Sequence, residues 1–166
     1  MTPDELVAAL GLAPHPEGGF FRQTYVAEER FTPAGIGSPR PVSTAILYLL
    51  KEGEKSRLHR IKSDELWHYH LGGGLLITQL QPGGKLQETV LGADIAAGRK
   101  LQRVVPAGTW FGAEPLAGAG FCLIGATVAP GFDFADFELG KRNALVEEFP
   151  LAREAIVRLT PEYGCF

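Results

Sequence analysis

Twenty-one glycines and twelve prolines run through this chain of 166 residues, spread along its length and not gathered into one low-complexity block. That spread constrains the fold more than any other feature. Both residues punctuate regular structure, so a chain interrupted this often favours many short strands joined by tight turns. Apolar and β-branched runs between the interruptions place strands at 20–26, 42–50, 56–59, 65–71, 75–81, 88–91, 102–105, 109–111 and 121–128. Turns at 72–74 and 82–84 separate the middle ones. The run VSTAILYLL at 42–50 is apolar almost throughout, which marks a strand buried on both faces. Residues 27–41 read as a loop, and Pro130-Gly131-Phe132-Asp133-Phe134 reads as a turn into an edge strand.

Helical spacing is confined to the ends. Thr2, Pro3 and Glu5 form a capping-box start, Leu6, Val7 and Leu10 an apolar stripe, and Gly11 a stop. From Pro150, PLAREAIVRL repeats apolar residues at Leu151, Ala155, Ile156 and Leu159. About eight to eleven strands between terminal helices, with no internal repeat and no linker, predict one all-β domain over residues 1–166, a barrel or double-sheet jelly roll.

Composition narrows the function classes. Hydrophobic residues make up 45% and charged residues 21%, and the net charge is −3; there is no basic footprint for nucleic acid. No apolar run reaches the length of a membrane-spanning helix, and the N-terminus lacks the basic start and apolar core of a signal peptide. Cys122 lies in an apolar run and reads as a buried thiol. Cys165 sits in a tail that is expected to be mobile. Their spacing suits neither a metal nor a disulfide framework, so the expected location is cytoplasmic.

The chemistry concentrates in SRLHRIKSDELWHYHLG, residues 56–72, which holds three of the four histidines. Five residues separate Gly53 from His59, three separate Ile61 from Glu65, and six separate Glu65 from Gly72. This layout resembles the first motif of the cupin superfamily, with Ile61 where a second histidine belongs. Pro106-Ala107-Gly108-Thr109-Trp110-Phe111 resembles the second motif, with Phe111 in the place of its histidine. HPEGGFFRQTY, STAILYLL, HRIKSDELWHYHLGG, VVPAGTWFGA and VAPGFDFADFEL, in this order, extend the resemblance from about residue 10 to 149. Together they identify one cupin branch long known only as a domain of unknown function (cupin_5-like). The resemblance implies a double-stranded β-helix, the jelly-roll barrel of the RmlC-like sugar-nucleotide epimerases and seed-storage cupins. It also implies a homodimer, and it assigns no reaction.

Three functions follow as expectations. In the first, the barrel mouth binds a small polar molecule, sugar-like or nucleotide-sugar-like, and isomerises or epimerises it. His59 and Glu65 then form the proton-transfer pair and Tyr69 stands in for the tyrosine of the epimerases. In the second, the cupin binds the molecule without changing it. In the third, His59 and Glu65 hold a divalent metal with an incomplete ligand set; two protein ligands seldom suffice for a transition metal, and no cofactor is required by the sequence. Trp67, Trp110, Phe111 and, after the HPEGG turn, Arg22 are candidate ligand contacts; the aromatic three serve equally well as core. In a regular strand Glu65, Trp67 and Tyr69 face one way and Leu66, His68 and His70 the other, so the last two lie outside the pocket unless a bulge intervenes. HPEGG itself reads as turn chemistry, or else as an arm that reaches a partner subunit's pocket.

Overall fold

A computed structural model describes residues 1–161; Cys165 lies outside them. Thr2 caps the first helix, α1 (Pro3–Leu10), by the expected reciprocal pair with Glu5, and Gly11 closes it in the left-handed conformation. The strands form two main antiparallel sheets. One has the spatial order β1 (Ala13–Pro14), β2 (Phe20–Val26), β5 (Thr44–Lys51), β12 (Phe121–Ala129), β7 (Asp64–Gly72), β10 (Gln102–Val105). The other runs β13 (Glu138–Leu139), β6 (Ser56–Arg60), β11 (Trp110–Pro115), β8 (Leu75–Leu80), β9 (Leu86–Leu91). From β5 to β13 successive strands alternate between the two sheets except at the β8–β9 hairpin, which is the connectivity of a jelly-roll barrel. Two short strands, β3 (Arg30–Phe31) and β4 (Arg40–Pro41), pair within the segment expected to be loop.

Three apolar clusters hold the sheets. Tyr48, Leu50, Trp67, Ile77, Phe111 and Ile124 fill the barrel. Leu6 and Leu12 cover Leu49 and Leu123 on the outside of the larger sheet. The run at 42–50 is therefore apolar because both faces are buried: Tyr48 and Leu50 point inward, Leu49 outward under α1. The third cluster joins Leu58, Leu80 and Trp110 to the C-terminal helices. These are two, α2 (Arg142–Glu148) and α3 (Arg153–Leu159), with a 3-10 turn at Pro150–Ala152 between them. The sequence shows only the second, because α2 has no side-chain N-cap and buries a single residue, Leu145. The expected edge strand after Phe132 is a 3-10 turn, Phe134–Asp136, ahead of the two-residue β13. No helix among the described residues is long and apolar enough to cross a membrane.

Candidate functional site

A cavity of about 430 Å³ opens at one end of the barrel, where His15, Glu17, His59 and Glu65 share a wall with Phe21, Ile46, Ile61, Val128 and the rings of Phe132, Phe134 and Phe137. Three of these polar members, His15, Glu17 and His59, are delivered by local irregularities. His15 to Gly19 form a tight turn closed by the Gly18 amide donating to the His15 carbonyl (3.0 Å) and the His15 amide donating to Gly19 (2.9 Å). Gly18 has φ +116°, and a Cβ there would sit 2.1 Å from the Lys55 carbonyl oxygen, so no other residue fits. The buried Tyr48 hydroxyl donates to the Gly18 carbonyl at 2.6 Å and fixes the turn from inside. The turn thereby drives Glu17, only 5% exposed, into this chain's own barrel.

His59 reaches the cavity through a bulge. On β11, Phe111 and Ala113 are two residues apart, yet their partners on β6, His59 and Ser56, are three apart. The extra residue lets Ser56 and His59 both face inward, which regular alternation forbids. Gly112 stands opposite; a Cβ on it would come within 2.8 Å of the Ser56 carbonyl oxygen. Glu17 bridges the two inward groups: the Ser56 hydroxyl donates to Oε1 (3.0 Å), and Oε2 lies 3.0 Å from His59 Nδ1. That nitrogen is also 2.7 Å from the Arg57 carbonyl. Two acceptors at Nδ1 place the proton there and leave Nε2 for a ligand. Phe111 and Phe137 hold the imidazole ring, with centroids 4.2 Å and 5.3 Å away.

Glu65 enters from the larger sheet at the start of β7 and is buried. The Trp67 indole N–H is turned toward its carboxyl and opposes the effect of burial, without closing a full hydrogen bond. The two carboxyls are pushed apart by their surroundings. Burial pushes Glu65 up to about 7, the His59 charge opposing and Glu17 adding. Burial alone would raise Glu17 too, but the charge and contact of His59, helped by His15 and Ser56, outweigh it and hold Glu17 below the ordinary carboxylate range. His59 is correspondingly raised, because Glu17 outweighs its own desolvation. His15 is lowered by burial despite Glu17, with His59 adding to the effect.

A phenylalanine segment closes the side of the mouth. The Phe132 amide donates to the Thr44 hydroxyl at 2.9 Å, and Arg40 grips Asp136 at both carboxylate oxygens (2.7 and 2.9 Å). The rings of Phe132, Phe134 and Phe137 meet edge to face, with centroids 4.9–6.3 Å apart.

The residues singled out from the sequence fall in three places. His59, Glu65 and Arg22 line the cavity; Arg22 stands exposed at its rim, with Nη1 donating to the Leu10 carbonyl (3.1 Å). Trp67 and Phe111 lie in the filled part of the barrel, and Trp110 faces the C-terminal helices under the Arg60 guanidinium; none of the three borders the cavity. Tyr69 also lies away from it, its hydroxyl donating to the Gly72 carbonyl (2.6 Å). His68 and His70 are on the outer face. His68 contacts Thr127 and Gln102, and a bulge at His70 lays that ring across Gly125. Ile61 and Phe111 supply carbon where the resemblance expects imidazoles, and among the described residues no three His, Cys, Asp or Glu side chains gather as a metal-ligand set. The donor set does not fit a cupin metal.

His15 and Glu17 are polar site residues that sequence reasoning left in HPEGG as turn chemistry or as an arm toward a partner; Glu17 is the harder to foresee. Its only signal is a charged residue placed between a proline and two glycines, which reads as a solvated turn until the turn is seen to point inward.

Relatives share this architecture. A solved hypothetical protein from Leishmania major superposes with a TM-score of 0.92 at 30% identity, covering 98% of this chain and 100% of that one. A protein from Shewanella oneidensis superposes at 0.88 with 38% identity, covering 97% and 98%. An uncharacterised protein of Saccharomyces cerevisiae is 30% identical over 144 residues, 80% of this chain and 72% of that protein. The family model described as Cupin superfamily (DUF985) matches residues 4–140. The jelly-roll barrel, its spacing of His59 and Glu65 and this match lead to one statement: the chain belongs to the DUF985 branch of the cupin superfamily.

Proposed function

We propose that the barrel mouth binds a small molecule and moves a proton on it, as an isomerase or epimerase does. One observation carries this reading: two buried carboxyls share a cavity with the His59 imidazole, and their environments drive their acidities in opposite directions. Glu17 stays ionised and orients His59. Near neutral pH the cavity then holds an acid and a base together in His59 and Glu65. The base breaks a C–H bond beside a carbonyl group; the electron pair moves to the carbonyl oxygen, which takes the proton of the acid. Returning a proton to the other face of that carbon, or to its neighbour, gives the isomer and restores both groups.

The test is solvent exchange. Carbonyl compounds incubated with the protein in D2O should gain deuterium beside the carbonyl, read by mass spectrometry. His59→Gln and Glu65→Gln should each slow that exchange by about 100-fold or more. Undiminished exchange in folded His59→Gln sinks the assignment. A ligand that is held but never exchanges makes the protein a binder instead.

A further inference from the structure

The cavity wall carries information about the ligand that the acid–base pair does not. It is mostly carbon, and its titratable interior groups, among the described residues, are two carboxyls and two histidines. Glu17 is balanced by His59 at 3.0 Å. His15 is held toward its neutral form by burial. Glu65 has no permanent cation beside it in the interior; it is a buried carboxyl, 8% exposed, with the Trp67 indole N–H turned toward it but closing no full hydrogen bond. Among the described residues the only lysine or arginine on the lining is Arg22 at the rim, where one of its nitrogens already serves the Leu10 carbonyl. That carbonyl and Gly11 belong to the C-terminal end of α1, whose field favours positive charge over negative. A phosphate or diphosphate entering here would meet apolar rings, a carboxyl without a counter-charge and one partly committed guanidinium. Phosphate recognition instead needs several converging donors.

Building on the acid–base reading of the same site, we propose that the ligand is an uncharged hydroxy-carbonyl compound with an apolar ring, and that phosphorylated and carboxylated molecules, sugar nucleotides included, are rejected. The ring lies against Phe21, Phe132 and Phe137. The hydroxyl and carbonyl face His59 Nε2 and Glu65. The ring's burial supplies affinity, while the lone carboxyl discriminates against anions.

The probes are 2-hydroxyacetophenone, mandelate and dTDP-glucose, titrated calorimetrically at pH 8. We expect 2-hydroxyacetophenone to bind at least about tenfold more tightly than mandelate, a gap that one repelled charge near a buried carboxylate readily produces, and dTDP-glucose not to bind. Glu65→Gln should narrow the gap by strengthening mandelate, and Arg22→Gln should leave the order unchanged. Phe132→Ala should weaken the neutral probe, checked against the thermal unfolding of that variant. Mandelate or dTDP-glucose binding as tightly as the neutral probe overturns the proposal. So does an unchanged gap in Glu65→Gln, or a failure of all three probes to bind. Preference for an anion with exchange still dependent on His59 would remove the ligand class and keep the acid–base reading. Neutral-probe selectivity without any exchange would do the reverse.

Discussion

The barrel has two halves built on the same strands, and they differ in what those strands point inward. Toward the filled end, β5 contributes Tyr48 and Leu50, β7 Trp67 and β12 Cys122 and Ile124. Toward the open end the same strands contribute Thr44 and Ile46, Glu65, and Ala126 and Val128. Two residues along each strand a larger side chain gives way to a smaller or polar one: Tyr48 to Ile46, Trp67 to Glu65 and Ile124 to Ala126. The cavity is therefore not a gap between elements. It is the part of the barrel where inward side chains stop filling space, and the buried acids stand where the packing ends.

Four changes test that division, taken from the largest expected effect down. Trp67→Ala, at the centre of the filled half and 1% exposed, should cost about 3–5 kcal/mol in denaturant unfolding. A loss below about 1 kcal/mol would mean that this half is not the main support.

Glu65→Gln should act in the opposite sense. A carboxyl whose folded pKa lies at about 7, above its unfolded value, supports the fold fully only below the unfolded value. That support is lost as pH rises through 7. The wild type should therefore lose stability relative to Glu65→Gln between about pH 4 and 8, by on the order of 3 kcal/mol in all. Parallel stability curves for the two proteins would contradict the burial of an unpaired acid.

Gly18→Ala should cost about 1–3 kcal/mol or more from backbone strain alone, and it should displace Glu17, so that ligand binding falls further than stability does. Equal losses of both would detach the turn from the site. Tyr69→Phe removes one hydrogen bond in the filled half, worth about 1 kcal/mol, and should leave proton exchange untouched. Lost exchange in that variant would move the catalytic boundary to include Tyr69.

Much of the architecture is legible without coordinates. The glycine and proline spacing marks the strands, the capping box marks α1, and the unbroken apolar run at 42–50 marks a strand covered on both sides. His59 and Glu65 are legible because their spacing follows a motif. Trp67, Trp110 and Phe111 are not separable into core and pocket by eye, since an inward aromatic looks alike at either end of a barrel. Two-residue strands such as β3, β4 and β13 leave no periodicity to read. The short helix α2 is equally silent, with one buried residue and no side-chain cap.

Residue order alone determined the fold class, the terminal placement of the helices and the motif positions of His59 and Glu65, because turn chemistry, periodicity and motif spacing are local properties. The tertiary structure decided which groups form the site. A bulge on β6 turns Ser56 and His59 to the same side, and a glycine-bounded turn carries Glu17 across 39 residues of sequence to meet them. The acidity of Glu65 is likewise a property of its neighbours: the surrounding packing buries it, and the nearby His59 is already held by Glu17. Long-range contact sets both, and no window of sequence contains it.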